Sequence, residues 1–63
     1  MQRTPDQLRE AIKRHQQLQK NWAAEAVEAR AKGLPMFAAG CDDAVTNHKR
    51  SEMIAKTELE AMR

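Results

Sequence analysis

Gly33-Leu34-Pro35 is the only strong stop signal between two stretches that otherwise read as helix from end to end. Glycine suits the left-handed residue that terminates a helix, and proline is pre-set for the first position of the next. The break divides the 63 residues into two nearly equal arms. The pattern therefore predicts an all-α fold, a two-helix antiparallel hairpin forming one domain over residues 1–63. Helix one is expected over about 5–32, the turn at 33–35 and helix two over about 36–62.

Working back from the turn, Thr4-Pro5-Asp6-Gln7 carries every feature of a helix start. Thr4 caps, Pro5 takes the first helical position, Asp6 meets the positive helix end and Gln7 completes a capping box. Leu8, Ala11, Ile12, His15, Leu18, Trp22, Ala26 and Ala29 then share one apolar stripe at helical spacing. Glu28 and Lys32 add a supporting pair four residues apart.

Forward of the turn the start is weaker. Leu34 is a poor cap and Gly40 interrupts the first turns, so an alternative start lies near Asp42 or Asp43. The stripe on this arm reads Phe37, Cys41, Ala44, His48, Ser51, Ala55, Leu59 and Met62, flanked by Val45 and Glu52. Folding the arms about residue 34 gives a hairpin with apolar ends and a polar centre of His15, Gln19, His48, Ser51 and Glu52.

One Trp and one Phe leave little large apolar surface to bury. A hairpin this small gains most by association, and assembly into a homodimeric four-helix bundle is the expected form. The net charge is +2, with +3 in residues 1–32 and −1 in residues 33–63. The first arm is the basic one, but the balance is too slight to mark a nucleic-acid protein. A lone Cys41 closes no intramolecular disulfide, and the N-terminus lacks the apolar run of a signal peptide. A cytoplasmic protein that makes no use of a membrane is the expectation.

Catalytic and metal chemistry find little support. Cys41 and His48 are seven residues apart, about 10 Å along a helix axis, where a thiol nucleophile and its base need contact at roughly 3 Å. His48 and Glu52 have ligand-like spacing and His15 approaches from the other arm, yet no Glu stands three residues before either histidine as in di-iron bundles. No enzyme, cofactor or native metal site is expected.

Binding surfaces are better represented. Leu34 to Ala39 is the most concentrated apolar segment, and Trp22, Met36 and Phe37 are its candidate anchors and those of the hairpin. Arg9, Lys13, Gln16 and Lys20 form a polar and basic row on helix one, while Lys49, Lys56 and Arg63 recur every seven residues on helix two. Such rows steer toward an acidic surface or follow phosphates, although no aromatic residue interleaves them to stack bases.

The run Ile54-Ala55-Lys56-Thr57-Glu58-Leu59-Glu60 resembles the last-helix pattern of phage hairpin proteins that sequester cyclic-nucleotide immune signals. The likeness covers under an eighth of the chain and lacks an aromatic-rich continuation. It implies a small-ligand or cyclic-nucleotide sponge as one function.

The principal expectation is a non-catalytic regulator or inhibitor of the kind phages and plasmids encode. It would bind another protein's acidic or apolar groove through Trp22, Met36 and Phe37, with Arg9, Lys13 and Lys20 steering. A nucleic-acid-binding dimer using the basic face of helix one is the alternative.

Overall fold

The computed structural model describes residues 3–62 as two helices, α1 (Pro5–Ala31) and α2 (Pro35–Ala61), packed side by side as an antiparallel hairpin. The rod measures 46 × 17 × 13 Å. Each helix ends within a residue of its expected limit.

The start of α1 follows from four residues. The Gln7 backbone N–H donates to Thr4 Oγ1 over 3.1 Å, and the Thr4 N–H donates to Gln7 Oε1 over 2.9 Å. Two N–H groups that the helix leaves unpaired are thereby satisfied, with Pro5 in the first turn needing none. At the other end Gly33 adopts φ 75°, its N–H donates to the Arg30 carbonyl and the Leu34 N–H donates to the Ala29 carbonyl. This paired bonding is the Schellman arrangement, which reverses the chain in the fewest residues.

The alternative start of α2 near Asp42 or Asp43 is not adopted. Pro35 opens the helix, the Ala38 N–H donates to the Leu34 carbonyl, and the helix runs unbroken through Gly40. Leu34 supplies no side-chain cap. The tight geometry left by Gly33 and the fixed φ of Pro35 set the start instead.

The α1 stripe from Leu8 to Ala29 lies buried or half-buried throughout. On α2 the stripe holds from Cys41 to Leu59 but shifts by one residue beside the turn, where Ala38 is buried and Phe37 is exposed. The reason is size. Ala26 and Ala29 are the buried residues of α1 toward this end, and Ala38 and Cys41 those of α2, so only small side chains fill the seam.

Large apolar residues are scarce in the interior. Leu8 and Cys41 are the largest fully buried side chains, while Val27, Leu34, Met36, Phe37, Met53, Ile54 and Met62 are exposed. Ion pairs join the arms at both ends. Arg30 bonds Asp42 near the turn, and Arg3 donates to Glu58 over 3.1 Å near the open end. No described helix is long and apolar enough to cross a membrane.

Candidate functional site

The tip is built by the turn itself. With Ala38 taking the inward position, Met36 and Phe37 on the first turn of α2 point away from the seam, 88% and 54% exposed, beside the exposed Leu34. Three large apolar side chains thus project together from the end of a narrow rod. They form an uncovered apolar feature at the end of the rod.

The six nominated contact residues fall into separate places. Met36 and Phe37 are adjacent at the tip. Arg9, Lys13 and Lys20 are exposed on one row of α1, with Arg9 already engaged by Asp6 over 3.0 Å. Even Lys20, the member nearest the tip, lies eleven residues before the end of α1, about 16 Å in axial rise. The apolar anchors and the basic row therefore constitute two surfaces. Trp22 is half-buried on the α1 stripe that faces α2, so most of its ring serves the hairpin's own packing.

The centre of the hairpin is the polar layer, and its groups satisfy one another. His15 Nδ1 and His48 Nδ1 stand 2.9 Å apart with the rings tilted by 37°. A bond of that length needs an Nδ1–H on one ring and a lone pair on the other, so the two rings hold complementary protonation patterns. One turn further along α2, Glu52 is only 8% exposed. Its carboxylate accepts from Gln19 Nε2 over 2.6 Å, Gln16 Nε2 over 3.0 Å and Lys56 Nζ over 2.7 Å. The Lys56 bond, then those from Gln19 and Gln16, hold its pKa down at about 2. Among the described residues no buried side-chain N or O lacks a partner, and no three His, Cys, Asp or Glu side chains converge as a metal would require.

Two of these partners sit where the sequence pattern did not place them. Gln16, grouped with the outer row of Arg9, Lys13 and Lys20, turns across to Glu52, and Lys56, grouped with the second basic row, is its ion-pair partner. The spacing of Lys56 four residues after Glu52 was the available signal. Arg63 of that row lies outside the described residues.

Cys41 is buried, and desolvation first, then the charges of Glu25 and Asp42, push its thiol pKa up. That suppresses the thiolate, the reactive form. The expected Glu28–Lys32 pair forms at 2.9 Å; its hydrogen bond lowers the Glu28 pKa and raises that of Lys32.

A second apolar feature lies on α2. Met53 and Ile54 are 60% and 53% exposed and lie in an open groove of about 500 Å3. The run Glu52-Met53-Ile54-Ala55 signals this, because consecutive residues turn by about 100° and the stripe residue Ala55 and the flanking Glu52 already occupy the inner side. Comparison with protein-family models, with characterised proteins and with solved structures finds no match to this chain.

Proposed function

We propose that this protein is a small non-catalytic regulator or inhibitor that works by binding another protein through the tip of its hairpin. The observation that carries the reading is the exposure of Leu34, Met36 and Phe37 together at one end of the rod. Exposed Met and Phe on a turn whose backbone is already ordered present adaptable apolar area, which is the composition of an interface anchor. A partner with an apolar groove fits this tip. An acidic rim on that partner would be steered by Lys13, Lys20 and Arg9, which act on encounter rate more than on affinity.

The hairpin works as a homodimer that brings four helices together in the cytoplasm. Away from the tip, exposed Val27, Met53, Ile54 and Met62, against a buried set made mostly of alanine, support association of the arms with further helices. The central layer is less suited to a small ligand, since its His, Gln and Glu groups already bond one another. The outer row of α1 is less suited to phosphates than its spacing suggests, with Arg9 paired to Asp6 and Gln16 directed inward.

Affinity capture from the source cell tests the reading. Parent and Met36→Ser/Phe37→Ser proteins are compared after nuclease treatment. A protein retained by the parent and lost by the variant supports tip docking, and retention dependent on nucleic acid supports the phosphate-binding alternative in its place.

A further inference from the structure

We infer that the outer face of α2 pairs with the same face of a second copy, the two helices running antiparallel about a two-fold axis between Met53 and Ile54. The inference rests on the self-association proposed above and specifies its face, orientation and contacts. Because this face lies opposite the one packed on α1, the four helices of the dimer stand side by side in the order α1-α2-α2-α1 rather than around a shared core.

The first ground is the character of the face. Thr46, Arg50, Met53, Ile54 and Thr57 line the groove. At about 100° per residue they lie roughly opposite Cys41, Glu52 and Ala55, the buried residues of the same helix. The hydroxyls within it make no demand on a partner. Thr46 Oγ1 donates to the Asp42 carbonyl over 3.2 Å and Thr57 Oγ1 to the Met53 carbonyl over 3.0 Å, both inside the helix. Met53 and Ile54 are thus an apolar pair at the middle of a surface whose neutral polar groups are already bonded.

The second ground is charge, and it selects the occupant. Lys49 and Arg50 precede the apolar pair, whereas Glu58 and Glu60 follow it. In an antiparallel pair centred between 53 and 54, residue i meets roughly residue 107 minus i of the second copy. Met53 then packs near its own equivalent and Ile54 near its own. Arg50 comes level with Thr57 of the second copy and within one residue of Glu58 on the same flank, Lys49 comes within two residues of Glu60 on the other flank, and the two-fold repeats each pair. A parallel arrangement sets like charge on like. Among the described residues Lys49, Arg50 and Glu60 have no ion pair within the chain, and Glu58 commits one carboxylate oxygen to Arg3. A face that is basic on one side of an apolar centre and acidic on the other is self-complementary when reversed, the requirement of an isologous interface.

The arrangement also leaves the tips free. Helix overlap spans residues 46–61, about 24 Å, and each Met36 lies about 26 Å from the axis on opposite sides. The two tips therefore point outward about 50 Å apart, able to engage partners independently.

Sedimentation of the full chain over a micromolar concentration series tests the inference, with far-UV circular dichroism as the folding control. The parent is expected to dimerise, and Met53→Ser/Ile54→Ser to keep its helicity while its dimer dissociation constant rises about 100-fold or more. Lys49→Glu and Glu60→Lys should each weaken the dimer about threefold to tenfold, and their combination should return to within about twofold of the parent. Among the described residues neither has an ion pair within the chain, and circular dichroism checks that the swap leaves the hairpin folded. A parent dimer indifferent to the Met53/Ile54 change overturns this face and leaves assembly itself standing. A double charge variant no better than either single overturns the antiparallel orientation, and a parent that stays monomeric overturns the inference and the assembly together.

Discussion

The backbone N–H of Leu34 donates to the Ala29 carbonyl over 2.9 Å, closing the chain reversal across Gly33 at φ 75°. The link fixes where α2 begins, and together with the small residues of the seam it leaves Met36 and Phe37 outside. A β-branched residue resists the left-handed conformation, so Gly33→Val should cost about 1–2 kcal/mol. Gly40 is different. It sits within α2, a Cβ added there meets nothing within 4 Å, and Gly40→Ala should stabilise by about 0.5–1 kcal/mol. Thermal melts of the two variants should therefore move in opposite directions.

Glu52 ties the two helices at mid-length, and its pKa of about 2 lies below the ordinary 4.5. The stabilisation is present above pH 4.5 and is lost as pH falls from 4.5 through about 2, where the carboxylate protonates and releases Lys56 and the glutamines. Melting temperature should drop across that window. Glu52→Gln should lower stability at neutral pH by about 1–3 kcal/mol and flatten the acid limb. An acid limb unchanged in the variant would assign the loss to other carboxylates.

Cys41 should behave as core. With its thiol buried and its pKa raised, labelling by a thiol-reactive disulfide reagent should be slow in the folded protein and rapid in denaturant. Fast labelling under native conditions would mean that the seam at Ala26, Ala29 and Ala38 opens readily.

Leu8 is fully buried near the open end and is, among the described residues, the one large aliphatic side chain wholly inside. Leu8→Ala should cost about 2–4 kcal/mol, far more than Val27→Ala on the exposed side of the same helix. Denaturant titration of both variants checks the contrast.

Local chemistry made much of the fold legible in the sequence. Thr4, Pro5 and Gln7 signal a helix start without tertiary help, Gly33 signals a stop, and the α1 stripe from Leu8 to Ala29 needs only its period. What escaped depends on the second helix. Periodicity puts Phe37 rather than Ala38 on the stripe, and only the narrow seam against Ala26 and Ala29 decides for alanine. Gln16 belongs to the outer row by angle, yet its flexible side chain reaches a buried carboxylate that the one-dimensional pattern does not locate. Gly40 reads as a breaker in isolation, but a helix held by packing tolerates it. At the candidate site, the residue types of the tip were evident, whereas its separation from the basic row required the arms to be set in space.

The central claim is that binding runs through the apolar tip, with the basic row in a supporting role. Equilibrium affinity for the captured partner, measured at two salt concentrations for the parent, Met36→Ser/Phe37→Ser and Arg9→Glu/Lys13→Glu, tests it most directly. All three chains must first match in helicity and oligomer size. The account predicts that the tip variant loses about 2 kcal/mol or more of binding energy at both salt concentrations, while the charge variant loses less and chiefly at low salt. Normal binding by the tip variant, with binding and its salt dependence both lost in the Arg9/Lys13 variant, would contradict the account and identify the basic face of α1 as the functional surface.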